Sequence, residues 1–224
     1  MRTPVRTAIL PYQEVQVQLI STPTHESNYG NGKGGNGQNL GRRFIVLHGS
    51  GKYPTATAAQ ELEYLKTPGI HVSYHVYATK AGTLHQLVPF PARAWHAGSS
   101  RWRSGGVRYE DLNDLSIGIA FESCNAVDEV YPPDQVAAVF ELARNLMRAF
   151  DIPPEHVLTH KEVSDPQGRK VDPVNFEIDA FRQRLAGPPK ETLPLYSETN
   201  ELLGEVTIVD GRKAYLPDTV RSSL

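Results

Sequence analysis

Two short apolar runs in this chain each end in a histidine: Phe44-Ile45-Val46-Leu47-His48 and His156-Val157-Leu158-Thr159-His160. Runs of this length and make-up read as buried strands. A buried strand that delivers an imidazole at its end, twice, suits a metal better than a core. Asp172 follows the second histidine, within Gly168-Arg169-Lys170-Val171-Asp172-Pro173. Two imidazoles and one carboxylate form a three-ligand set that leaves the fourth tetrahedral position of zinc for water, as catalytic zinc sites do. The pattern predicts a zinc hydrolase, with His48, His160 and Asp172 as ligands.

The 224 residues suffice for one good-sized core with a small appendage. A net charge of −2 gives no sign of a nucleic-acid partner, which usually shows as a basic excess. No apolar stretch approaches the ~18 residues that read as a membrane span. The opening segment, Met1 to Pro11, carries positive charge but lacks the ~7–15 apolar residues of a signal peptide. The lone cysteine, Cys124, excludes an internal disulfide framework. These features predict synthesis in the cytosol without an export label.

Along the chain, Glu14 to Ile20 alternates and reads as a half-buried strand. Residues 27–43 are rich in Gly and Asn and read as a long surface loop. Thr57-Ala58-Ala59-Gln60 has the spacing of a capping box and opens a helix to about Leu65, stopped by Pro68-Gly69. Val72–Thr79 and Thr83–Val88 flank Lys80-Ala81-Gly82, a hairpin signal. Residues 89–115 read as irregular, and Ser116–Glu122 as another apolar strand. Val136, Val139, Phe140, Ala143, Leu146, Met147 and Phe150 recur at helical spacing and mark the longest helix. A last helix is expected over about Asn175–Leu185. The expected fold is α/β, a mixed central β-sheet flanked by helices. Residues 1–186 would form the catalytic domain. Residues 187–224 would be a linker and a C-terminal β-hairpin, Glu205–Leu216 around Asp210-Gly211, which docks on the main domain, pairs in a homodimer or binds a surface.

Six segments, in this order, resemble the zinc-dependent type 2 N-acetylmuramoyl-L-alanine amidases. They are Phe44–His48, Val72-Ser73-Tyr74-His75, Gly82–Pro89, Arg93-Ala94-Trp95-His96-Ala97-Gly98, Asn113–Ile119 and His160–Pro173. That family includes amidase-type phage lysozymes, muropeptide-recycling amidases and animal peptidoglycan-recognition proteins. The resemblance implies cleavage of the amide between the lactyl group of N-acetylmuramic acid and L-alanine. It places the metal ligands on the same three residues, His48, His160 and Asp172.

The resemblance also places a catalytic lysine at Lys170 and a phage-lysozyme tyrosine at Tyr74, as donors to an oxyanion. Arg169 beside Lys170 reads as a solvated charge or a partner to a surface carboxylate. Several relatives carry glutamate after Ile-Gly-Ile; here that residue is Ala120. Glu122 lies two positions on, on the same face by strand periodicity, and is a secondary catalytic candidate. Arg93, Trp95 and His96 are expected to bind substrate, since aromatic faces suit sugars and arginine forks suit stem-peptide carboxylates. Trp102 and Arg103 fit either binding or loop packing. His25, His71, His85 and His156 read as ordinary core or surface residues. The partner is peptidoglycan or a muropeptide, without membrane insertion. An endolysin-like enzyme is expected; a cytosolic anhydro-muropeptide recycling amidase and a non-catalytic recognition module are the alternatives.

Overall fold

A computed structural model describes residues 17–30, 41–51, 56–187, 190–196, 202–209 and 213–215. Strand β1 (Leu19–Ser21) opens the described chain, and β2 (Tyr29–Gly30) follows one 3₁₀ turn. Next come β3 (Phe44–Gly49), α1 (Ala58–Lys66), β4 (Val76–Ala78) and β5 (Leu84–Gln86). The expected capping box is present at α1: Thr57 Oγ1 accepts from the Gln60 amide, and Gln60 Oε1 from the Thr57 amide.

Residues 89–115 depart from the expected irregular segment. They hold β6 (Arg93–Ala94), a hairpin of β7 (Arg101–Ser104) and β8 (Val107–Glu110), and the short α2 (Leu112–Leu115). Gly105 and Gly106 both take positive φ, as a two-residue turn of this hand requires. Trp102 lies opposite Tyr109, and both pack on a cluster around Phe44, Leu112 and Leu158. Alternation in Arg-Trp-Arg-Ser is easily missed because each strand sets a single half-buried aromatic, Trp102 or Tyr109, against the core.

After β9 (Ser116–Phe121) comes the longest described helix, α3 (Pro133–Phe150), then β10 (Val157–Thr159), α4 (His160–Val163) and α5 (Ile178–Ala186). Helix α5 starts later than expected because Asn175 takes a positive φ. Strands β11 (Lys190–Tyr196), β12 (Leu202–Val209) and β13 (Lys213–Tyr215) make a separate antiparallel sheet with β12 central. The expected two-stranded hairpin is thus a three-stranded sheet; its turn residues Asp210 and Gly211 lie outside the described residues. Strand β11, with Pro194 inside it, is an edge, where a missing amide is tolerated. Glu14–Gln16 of the first expected strand, and residues 31–40 of the expected loop, also lie outside the described residues.

The main sheet has the order β1-β5-β4-β9-β3-β10. Strands β4, β9, β3 and β10 run parallel, while β5 is antiparallel to β4 and carries β1 parallel to itself. The sheet is therefore mixed. One face, with Ile45, Leu47, Ile117, Ile119 and Phe121, packs on α3 and α5 through Val139, Leu142, Leu146 and Phe181. The other face carries Val46, Leu158, Ala120 and Tyr77, covered by α1 and the segment through Ala94 and Ala97. No described helix is long and apolar enough to cross a membrane.

Gly82 closes the β4–β5 hairpin at φ +78°, where an added Cβ would sit 2.9 Å from the Asp134 carbonyl oxygen. Gly82→Ala is expected to cost at least about 1–2 kcal/mol, measured by urea unfolding. A wild-type midpoint would show that the hairpin does not rely on this conformation.

Candidate metal centre

Parallel register builds the site. Thr159 of β10 lies opposite Leu47 of β3, so the next residues, His160 and His48, come side by side on one face of the sheet. Beyond Thr159 the chain turns into α4. Thr159 Oγ1 accepts from the Glu162 amide, and Glu162 Oε2 accepts from the Thr159 amide at 2.7 Å. Arg182 of α5 donates to both Glu162 oxygens at 2.9 Å and to the Val157 carbonyl at 2.7 Å. This clamp seats His160. The loop after α4 returns so that the Lys161 amide donates to the Asp172 carbonyl at 2.9 Å.

The result brings His48, His160 and Asp172 together, with one ligand atom of each within 4.8 Å of the others. All three side chains are buried. His160 Nδ1 lies 3.1 Å and His48 Nδ1 3.5 Å from Asp172 Oδ2. The remaining ring nitrogens turn away. His160 Nε2 meets the Ala97 carbonyl at 3.1 Å, and His48 Nε2 meets His96 Nδ1 at 3.0 Å.

Those partners fix the tautomers. The Ala97 carbonyl can only accept, so His160 carries its proton on Nε2 and presents a bare Nδ1. With His48 protonated on Nε2, His96 Nδ1 accepts from it, and His96 Nε2–H donates to Ser116 Oγ at 3.3 Å. Ser116 Oγ then donates to the Leu112 carbonyl at 2.5 Å. Every proton in this line has one consistent direction. Both histidines thus aim Nδ1 lone pairs at the Asp172 carboxylate, and His48 Nδ1 is buried with no hydrogen-bond partner. An orphaned buried acceptor beside a second one and a carboxylate fits a divalent cation.

The electrostatics agree. Burial, and then the neighbouring His160, lower the His48 pKa to about 4. Burial also holds His96 well below the ordinary histidine value, and lowers His75 to about 3. Burial alone would raise the Asp172 carboxyl, but its contacts with His160 and His48 outweigh that and hold it well below the usual carboxylate range. A neutral His48 is the form that a metal binds.

The other expected site residues fall in different places. Tyr74 is buried with its ring 5.2 Å from that of His48. Burial, then the charges of Asp172 and Glu61, push its hydroxyl up, so it stays a proton donor. Lys170 is exposed, yet its charge is felt at His48. His96 is not in an open groove. It lies 5% exposed beneath the ligands, against Gly118, where a Cβ would come within 2.5 Å of its ring. Trp95 is half-buried and pairs with His71 at 5.2 Å. The Arg93 guanidinium is held by Asp111 and Asp114. Glu122 is not brought to the ligands by any described contact; its carboxylate accepts from the Lys80 amide at 2.6 Å, at the hairpin turn.

Two positioning residues, Arg169 and Asn113, lie within family-like segments, but their spacing does not announce their part. Arg169 donates to the Ala97 and Ser99 carbonyls at 2.9 and 2.7 Å, tying the Asp172 loop to the segment that orients His160. Asn113 Oδ1 accepts from the amides of both His96 and Ala97. A carbonyl count across elements would be needed to foresee either.

The family model of N-acetylmuramoyl-L-alanine amidases matches residues 38–175, a span that holds all three clustered residues. The chain belongs to that family. It is 40% identical over 95 residues to the N-acetylmuramoyl-L-alanine amidase AmiD of Escherichia coli, across 39% of this chain and 32% of that protein. It is 31% identical over 118 residues to the 1,6-anhydro-N-acetylmuramyl-L-alanine amidase AmpD of Salmonella typhimurium, across 52% and 59% of the two. The chain thus spans about a third of the one relative and under two thirds of the other. A crystal structure of an AmpD derivative superposes with a TM-score of 0.58 at 22% identity, covering 79% of this chain and 99% of that one, and shares the fold.

In this amidase-family chain, His96→Ala is expected to weaken divalent-metal binding about 10–100-fold, since it removes the group that fixes the His48 tautomer. Competition with a chromogenic chelator measures it. An unchanged Kd would mean that packing alone orients His48.

Proposed function

We propose that this chain is a zinc-dependent N-acetylmuramoyl-L-alanine amidase that hydrolyses the lactyl–L-alanine amide of bacterial peptidoglycan. The convergence of His48 Nδ1, His160 Nδ1 and Asp172 Oδ2, inside the span that matches the family, carries the reading. These three atoms would hold the ion. Zinc supplies Lewis acidity, which acidifies a water and polarises the scissile carbonyl.

The chain's own residues do the rest. Tyr74, kept protonated by its surroundings, offers an O–H to the oxyanion that develops on the carbonyl. Lys170 adds a positive charge from the loop two residues before Asp172. The half-buried Trp95, paired with the exposed His71, offers an aromatic shelf for a sugar ring. Arg93, held by two carboxylates, buttresses that segment.

Two settings suit this chemistry. Tyr74, which matches the tyrosine of phage lysozymes, and Ala120, where those enzymes also lack the glutamate, support an endolysin-like enzyme that acts on the wall. The identity to AmpD supports the second reading, a soluble 1,6-anhydro-muropeptide.

Release of L-alanine amino termini from purified sacculi and from soluble anhydro-muropeptide, measured side by side, distinguishes them. Faster turnover of sacculi is expected. His160→Ala is expected to lose bound zinc and activity together; a variant that kept both would sink the ligand assignment. Tyr74→Phe and Lys170→Ala are each expected to lower kcat about 10²–10³-fold with zinc content unchanged.

A further inference from the structure

Helix α1 sends Glu61 onto the site side of the main sheet. Its Oε2 accepts from Tyr77 Oη at 2.7 Å and also from Ser50 Oγ. These hydroxyls come from opposite flanks of β9. Ser50 lies just past the end of β3, two residues beyond His48, and His48 is the register partner of Ala120. Tyr77 is the register partner of Ala120 on the other side. An oxygen reached from both flanks lies across the C-terminal end of β9, near which Ala120 has only a methyl for a side chain.

The surroundings make room for it. A Cβ at Gly51 would lie 2.6 Å from Glu61 Oε1. Leu62 and Leu65 of α1 pack in one cluster with Tyr74, Tyr77 and Ala120. The charges of Asp172 and Glu61 both act on Tyr74, so that phenol stands within electrostatic reach of the metal ligands and of Glu61.

Burial raises the Glu61 carboxyl above its ordinary value. The hydroxyls of Ser50 and Tyr77 oppose that shift, Glu122 adds to it, and Lys80 opposes it weakly. Among the described residues no cation pairs with Glu61. As a mere anchor for α1 an acid is a poor choice, because an amide would bind the same hydroxyls with less desolvation cost. A carboxylate adds a proton site poised for transfer.

We propose that Glu61 is the acid–base carboxylate of this site, held at the C-terminal end of β9 by Tyr77 and Ser50. The proposal rests on the amidase reading. Glu61 takes one proton from the attacking water as the new C–O bond forms. It returns that proton to the alanine nitrogen as the C–N bond breaks, and ends as the carboxylate it began as. A carboxylic acid and an amine leave and exchange their remaining protons with solvent.

Glu61→Gln keeps the shape and an acceptor for both hydroxyls. It is expected to lower kcat about 10²–10⁴-fold, with KM, zinc content and unfolding midpoint near wild type, and to abolish the acidic limb of the kcat–pH profile. Tyr77→Phe removes a donor that favours the ionised form, so it should move that limb to higher pH. A Glu61→Gln enzyme within about threefold of wild type, or one that keeps its acidic limb, overturns the proposal. If Glu61→Gln does not fold, an unmoved limb in Tyr77→Phe overturns it instead. Wild-type protein that binds zinc yet cleaves neither sacculi nor anhydro-muropeptide would overturn the amidase reading and this one with it, whereas an active wild type with an indifferent Glu61→Gln sinks Glu61 alone.

Discussion

Parallel pairing of β3 with β10 sets everything else at the site. Parallel neighbours keep level residues on the same face, so the pairing of Thr159 with Leu47 puts His160 beside His48. A slip of one residue would turn one imidazole toward the α3 face, among Ile45, Leu47 and Phe121. That slip is costly because both faces are buried: Val157 belongs to the α3 side and Leu158 to the opposite one. The hydrophobic effect thus fixes the position of two polar rings, and the Thr159–Glu162 capping box with its Arg182 clamp fixes the turn that follows.

Once the rings are placed, hydrogen-bond accounting decides their chemistry. His75 uses both nitrogens on backbone, accepting from the Gly118 amide and facing the Ala92 carbonyl. His96 uses both on His48 and Ser116, and His160 uses Nε2 on Ala97. Among these rings the nitrogens left over are His48 Nδ1 and His160 Nδ1, and both face Asp172. Burying His48, His75 and His96 is tolerable because burial holds all three below the ordinary histidine range, and a neutral ring is what leaves lone pairs free for a cation. His75 therefore reads as scaffold, while the pair on β3 and α4 is the part that can bind.

The main sheet and the three clustered residues were legible because they rest on local signals: apolar runs, a capping box, and residue types that only metals explain well at strand ends. What escaped the sequence depends on contacts between distant segments. Arg169 looks like a solvated loop charge, yet it grips Ala97, 72 residues away. His96 looks like a groove residue beside Trp95, yet Gly118 lets it sink beneath the ligands. Period-two reasoning puts Glu122 on the face of Ala120, but β9 ends at Phe121 and the carboxylate turns to the Lys80 amide. Glu61 sits on a short helix among other charged residues, and no spacing announces that it reaches across to Tyr77. The hairpin at 101–110 was missed for a related reason: with Arg101 and Arg103 alternating with Trp102, hydropathy marks only one face of a ribbon that covers rather than joins the main sheet.

Strand β9 shows why so many rings can share so small a layer. Toward α3 it presents Ile117, Ile119 and Phe121, which fill the apolar core. Toward the site it presents Ser116, Gly118 and Ala120, the small members of the same Ser-Ile-Gly-Ile-Ala-Phe run. Ser116 carries the proton line from His48 on to the Leu112 carbonyl, Gly118 admits the His96 ring, and Ala120 is the register partner of Tyr77, whose hydroxyl holds Glu61. A larger residue at any of these levels would have to displace a functional ring or carboxylate from a neighbouring element, and close packing gives it nowhere to go. The middle strand thus contributes space: its small side chains let groups from β3, β4, α1 and the 93–98 segment meet over one strand, with Asp172 brought in from the loop beyond α4.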